Sequence, residues 1–294
     1  MAAFVVQLLA GLSHAGSLFL VAAGLTLIFG SLRVINVAHG SFYMYAAFLV
    51  TTIAASAAGS AGIWAALALA PLVIAGLGVV AEVVLMRRLY GREHLAQLLA
   101  TFGLFYVLAD LGITFWGTNQ RSVGPPSSLG GRVAVLGQPF PVYSLFVIVV
   151  AIVVGAALAV LLRKTVLGWR IRAALGDTEL LTTTGTNVSR IYTLTFALGA
   201  LLAGIAGAVT APTQTVAPGL DQSILVDAFI VSIVGGIGSI SGSAVAAVII
   251  GVVGALGIRW APNFAPVAEY VVMIVILALR PEGLFGRKEA AALA

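Results

Sequence analysis

The sequence has no cysteine and very little charge. Without a thiol it can form no disulfide, no thiolate metal site and no cysteine nucleophile. Asp, Glu, Lys and Arg make up 9% of the 294 residues, against about 25% in an average soluble domain. A water-soluble fold of this length would lack the charged exterior it needs. Lys and Arg are missing from the first 32 residues, so the basic head of a secretory signal peptide is absent. Residues 4–29 therefore read as a retained membrane segment. No Gly-rich loop ends in Gly-Lys-Ser/Thr, so there is no P-loop for a nucleotide. His14, His39 and His94 lack metal-ligand spacing. No paired carboxylates and no His–Asp arrangement mark a catalytic centre.

What is present is apolar. Hydrophobic residues account for 61% of the chain, and mean hydropathy is +1.13. The 34 glycines follow no three-residue period and suit closely packed membrane helices. A bilayer span needs roughly 20 apolar residues. Such stretches fall near 4–29, 34–56, 62–86, 95–117, 140–162, 191–211, 222–257 and 265–279. The seventh is too long for one span and is interrupted by Gly235-Gly236-Ile237-Gly238-Ser239-Ile240-Ser241-Gly242. It reads as two crossings, or a re-entrant hairpin and a helix. The expected fold is all-α: a single transmembrane domain over 1–294, a bundle of about eight spans (seven to nine) with broken or re-entrant segments.

The net charge is +5. In a soluble protein it would suggest nucleic acid, but here it sets orientation. Eleven of the 15 basic residues fall in the loop 87–94, the long loop 163–190 and the C-terminal tail with Arg280, Arg287 and Lys288. All three are expected to be cytoplasmic. The loop 118–139, with only Arg121 and Arg132, is expected outside. An even number of crossings is then needed between Arg190 and Arg280, which supports splitting 222–257. Arg33 is either a tight inside turn or part of an unwound segment over 31–41.

Three segments are candidates for function. The first is the loop 163–190. It holds a short amphipathic helix candidate that presents Leu175, Leu180 and Leu181 away from its charges, and Gly185 and Asn187 would end it. It either lies on the membrane surface or docks in a groove of a cytoplasmic motor subunit. The second is Arg33 to Tyr45, where Asn36 and His39 sit in apolar surroundings and Gly40 permits a backbone break. These polar groups either tie a broken helix to its neighbours or line the path of a polar solute. The third is the Gly235–Gly242 elbow, either a tight hairpin or a gate in which Ser239 and Ser241 face water. Gly199, Ala203 and Gly207 repeat every four residues, as do Gly238, Gly242 and Ala246, which is a packing signal. Among ionisable residues near spans, Glu82 is placed to pair with Arg87, while Asp110 and Asp227 are candidates for function by default, with Glu269 beside them.

Asn36-Val37-Ala38-His39-Gly40, followed by Phe42-Tyr43-Met44, resembles the LivH-type permeases of branched-chain amino acid ABC importers. Gly185-Thr186-Asn187-Val188 with Leu194 to Ala200, and Ala228-Phe229 with Gly235 to Ser239, resemble two later blocks of that family. The resemblance runs over nearly the whole chain. It implies a multi-pass permease of the bacterial plasma membrane with its C-terminus in the cytoplasm. It also implies a second LivM-like permease or a second copy, two cytoplasmic ATPase subunits that hydrolyse ATP, and an extracytoplasmic solute-binding protein. The chain itself would be no enzyme and hold no cofactor. By resemblance, Ala174, Asp177, Glu179, Leu180, Leu181, Gly185 and Asn187 belong to the segment coupled to the ATPases. Asn36, His39, Ser41, Gly235, Gly236 and Ser239 would lie near the solute pathway. Ser41 stands where many relatives carry Glu, Asp227 where some carry Lys, and Ser241 where Pro is frequent. Relatives importing urea, short amides or aromatic acids share the skeleton. The competing class is a stand-alone ion-coupled transporter, in which Asp110 and Asp227 would be the cation sites. The importer reading gives both aspartates passive roles.

Overall fold

The computed structural model describes residues 2–56, 59–176, 178–183 and 185–286, with the backbone alone at 175–176, 178–180 and 265–266. The described residues form a helical bundle. The helices are α1 (Ala2–Leu32), α2 (His39–Ser56), α3 (Gly59–Val84), α4 (His94–Trp116), α5 (Val142–Lys164), α6 (Val166–Gly176), α7 (Thr178–Thr183), α8 (Val188–Thr210), α9 (Leu220–Gly235), α10 (Ile240–Trp260) and α11 (Ala265–Leu279). Six segments are long and apolar enough to cross a bilayer: Ala2–Leu32, Gly59–Arg88, His94–Trp116, Val142–Lys164, Val188–Thr213 and Ile240–Trp260. With the shorter α2 and α9 between them and α11 after them, the chain is a multi-pass membrane bundle. The connection after α4 adds an element the all-α expectation did not include. Arg132–Val135 and Gln138–Pro141 pair as an antiparallel hairpin. Arg121 and Val216 exchange backbone hydrogen bonds of 2.8 Å, tying that connection to the one between α8 and α9.

α1 and α8 run through the centre, and α10, α3, α2, α9 and α5 pack around them. Glycine sets the spacing. A Cβ on Gly207 of α8 would collide with the Tyr43 carbonyl of α2, and one on Gly40 with the Asp221 carbonyl of α9. Gly24 of α1 faces the Gly199 carbonyl, and Gly11 faces the Val252 backbone. In lipid the helices gain little from hydrophobic exclusion, so backbone-to-side-chain proximity at such sites supplies much of the attraction. The four-residue repeat at Gly199, Ala203 and Gly207 is this seam, and all three residues are buried.

The break after α1 is made differently from the expectation. Arg33, not Gly40, takes the left-handed conformation, with φ 52°. Its N–H donates to the Phe29 carbonyl at 2.9 Å, closing α1 in the manner of an αL cap. Gly40 lies inside the first turn of α2, where it is needed for closeness to α9. Residues 34–38 run back beside α1, so that the His39 ring meets Val21, eleven residues before the end of that helix. At 1.5 Å per residue the chain re-enters by roughly 16 Å.

The elbow between α9 and α10 is a tight hairpin. Gly236 and Gly238 take φ of 97° and 83°. Ser239 caps α10 by accepting a hydrogen bond from the Gly242 N–H at 3.1 Å. The segment after α11 closes over it: Leu284 and Phe285 donate their N–H groups to the Val234 and Gly235 carbonyls at 2.8 and 3.1 Å. These are the carbonyls a helix end leaves without internal partners.

At the opposite flank of the same end, Glu82 of α3 is fully buried and pairs with Arg87 at 3.1 Å. Thr193 of α8 donates to it at 2.7 Å and Tyr90 at 3.2 Å. The expected Glu82–Arg87 pair is therefore a knot joining α3, α8 and the turn after α3.

Packing and the Glu82 knot each set expectations for stability. Gly207→Ala should destabilise the purified protein by about 1–3 kcal/mol through overpacking. Gly103→Ala, on α4 where nothing lies within 4 Å, should leave the thermal midpoint unchanged or raise it. Arg87→Met should cost about 2 kcal/mol, because it strands the Glu82 carboxylate. The double change with Glu82→Gln should recover most of that loss in the same unfolding assay.

Candidate functional site

The re-entrant segment buries its polar groups completely. Asn36, His39 and Ser41 have no exposed surface. The His39 Nε2 lies 3.0 Å from the Val21 carbonyl, with the ring edge-on to Phe42. Ser41 donates to the Asp221 carboxylate at 3.4 Å. Both polar atoms of the Asn36 amide and the His39 Nδ1 have no hydrogen-bond partner among the described residues. A buried polar group without a partner costs about 1–3 kcal/mol.

Below these residues a buried hydroxyl cluster joins three helices. The Thr26 Oγ1 of α1 lies 3.0 Å from the Ser232 Oγ of α9 and 2.8 Å from the Ser243 Oγ of α10. Gly235 and Gly236 are buried in the hairpin, and Ser239 is engaged in its cap, so the elbow meets neither cavity described below.

Near the end of the bundle that carries the 117–141 connection, a cavity of about 340 Å³ opens between α1, α2, α5, α8 and α9. Asp227 lines it together with His14, Tyr43, Gln214 and Ser223. One wall holds a directed chain of hydrogen bonds. Thr210 donates to the Ala206 carbonyl at 2.7 Å. The Tyr43 hydroxyl, 2.6 Å from the Thr210 Oγ1, therefore donates to it and accepts from the Gln214 Nε2 at 2.8 Å. A second cavity of about 170 Å³ lies between α2, α4 and the start of α9.

The two aspartates separate. Asp227 faces the larger cavity. Asp110 is exposed on the face of α4 that turns away from the bundle. Glu269 lies against Gly254 of α10. Among the described residues no group of three or more His, Asp and Glu gathers as a metal site.

The predicted amphipathic segment is two helices, α6 and α7. Asp177 between them lies outside the described residues, as do the side chains of Glu179 and Leu180 and the tail residues Arg287 and Lys288. On α6, Ile171 and Ala174 turn inward and are buried, while Val166 and Trp169 are exposed. Leu181 is partly buried on α7. Gly185 takes φ 74° just after α7. Asn187 caps the next helix instead of ending this one: its Oδ1 accepts from the Arg190 N–H at 3.1 Å. The sequence gives no sign of the Tyr43–Thr210–Gln214 chain, because a threonine at a helix end ordinarily bonds its own preceding turn.

Comparison with known proteins matches residues 7–279 to the family described as the permease component of the branched-chain amino acid transport system. The chain is 29% identical to the high-affinity branched-chain amino acid transport system permease protein BraD of Pseudomonas aeruginosa, covering 96% of each chain. It is 27% identical to LivH of Salmonella typhimurium and 26% identical to LivH of Escherichia coli K12, in each case over 97% of this chain and 96% of the relative. No solved structure matches it. With nearly its full length aligned to the family and its fold a multi-pass helical bundle, the chain belongs to the branched-chain amino acid transport permease family.

Proposed function

We propose that the chain is a pore-forming subunit of an ATP-driven importer and that its solutes are branched-chain or other hydrophobic amino acids. The match of residues 7–279 to the permease family carries this reading, and the names of the relatives supply the solute class. The chain hydrolyses nothing and holds no cofactor. Two cytoplasmic ATPase subunits supply the energy, a second LivM-like permease completes the pore, and an extracytoplasmic binding protein delivers the solute.

The basic residues orient the chain. Arg87, Arg88 and Arg92, the α5–α8 connection, and Arg280 lie at the cytoplasmic ends of their helices. The C-terminus is then cytoplasmic, in the plasma membrane of a bacterium. Nine alternating helices place the N-terminus outside. Helices α6 and α7 are the coupling element. Ile171 and Ala174 anchor α6 to the bundle, and the exposed Val166 and Trp169, with Leu181 on α7, are positioned for a helix-in-groove contact. A rigid-body shift of this pair moves α5 and α8 together and alternates access.

The re-entrant segment is the moving part of the pathway. The unpartnered Asn36 amide supports this reading, because a group left unsatisfied in one conformation favours another in which it is met. Gly235, Gly236 and Ser239 act as the hinge below it.

Gentle detergent extraction of the tagged chain should recover two ATPase subunits and a second apolar permease, identified by mass spectrometry. In proteoliposomes of that complex, Leu181→Glu should reduce ATP-driven leucine uptake at least tenfold, and Asp110→Asn should spare it. A chain that stays alone and moves leucine in ATP-free vesicles would overturn the importer reading.

A further inference from the structure

We infer that the 340 Å³ cavity between α1, α2, α5, α8 and α9 is a subsite for a primary ammonium group on a small aliphatic solute. Its physiological ligand rests on the importer reading, but its chemistry does not. The charged group of the cavity is the Asp227 carboxylate, and it is flanked by acceptors, while Ser13, His14 and Ser144 add groups that can donate or accept. The Tyr43 hydroxyl is fully used: it donates to Thr210 and accepts from Gln214. The Gln214 Nε2 gives one of its two hydrogens to Tyr43, and its Oε1 is left to accept. Ser223 spends its proton on the Leu220 carbonyl at 3.0 Å, so its oxygen also accepts. Asp227 adds a carboxylate, and no Lys or Arg lines the cavity. Acceptors and one negative charge in a recess walled by Leu18, Val147 and Ile224 suit a ligand with a cationic donor head and a short apolar tail.

Three N–H donors on one charged nitrogen meet Asp227 and the acceptors beside it, and a carboxylate in the same place would face the like charge of Asp227. A zwitterionic amino acid therefore enters ammonium first and leaves its carboxylate at the mouth. Asp227 takes an active role under this inference, whereas Asp110, turned away from the bundle, keeps a passive one.

The absence of cysteine offers a clean test. Ser223→Cys would be the only thiol of the chain, exposed at the cavity wall. The full-length chain, with the subunits that co-purify, is placed in lipid nanodiscs. It is labelled with a cationic (aminoethyl) or an anionic (sulfonatoethyl) methanethiosulfonate. The cationic reagent should react at least tenfold faster relative to its anionic counterpart than it does with free thiol. Asp227→Asn should remove that preference, and Asp110→Asn should keep it. L-leucine and 3-methylbutylamine should slow labelling, and 4-methylpentanoate should not.

Failure of the amine to protect, equal protection by 4-methylpentanoate, or an unchanged reagent preference in Asp227→Asn would overturn the inference. So would protection conferred by Na⁺ and lost in N-methylglucamine buffer, which would assign the site to a metal cation. Thr213→Cys, on the same wall, provides a second reporter should Ser223→Cys fail to assemble. Because labelling needs no ATP, loss of ATP-driven uptake with protection intact would count against the importer reading alone.

Discussion

A polar group held in hydrocarbon must find its partner inside the protein, and this requirement organises the bundle. Where helices begin, end or break, something has to receive the freed backbone groups. The end of α9 is met by the Leu284 and Phe285 N–H groups, α10 begins under the Ser239 hydroxyl, and α8 begins under Asn187. The same rule explains the buried side chains. Thr26, Ser232 and Ser243 satisfy one another across three helices, and Glu82 is held by Arg87, Thr193 and Tyr90. Small residues set the spacing at other contacts, where Gly24, Gly40 and Gly207 bring neighbouring backbones together.

Against that background Asn36 stands apart. It sits on the re-entrant segment, fully buried, and its amide has no partner among the described residues. On the same segment the His39 Nδ1 shares this condition, although its Nε2 meets the Val21 carbonyl and Ser41 meets Asp221. A buried amide without a partner gains from any rearrangement that supplies one.

Much of the fold is legible in the sequence. Hydropathy delimits the long helices, the Gly235–Gly242 interruption marks a true reversal, and the four-residue repeat of small residues locates the central seam. The remainder depends on distance. Gly40 looks like the breaking point because glycine permits any backbone angle, yet the left-handed residue is Arg33 and Gly40 serves contact with α9. Asp110 and Asp227 look equivalent along the chain, and only the rotation of α4 and α9 turns one outward and the other into a cavity. Asn187 reads equally well as the end of one helix or the beginning of the next, because its side chain serves a cap from either register. The hairpin at Arg132–Pro141 is too short to carry a periodic signal.

The closure of α9 by the segment after α11 bears on how the chain is made. Synthesis runs from the N-terminus, so the α9–α10 hairpin leaves the ribosome well before Leu284 and Phe285 exist to cover it. During that interval two carbonyls at the end of α9 have only water or lipid headgroups as company. The hairpin therefore waits in a provisional state at the membrane surface, and the bundle locks only when nearly all of the chain has been inserted.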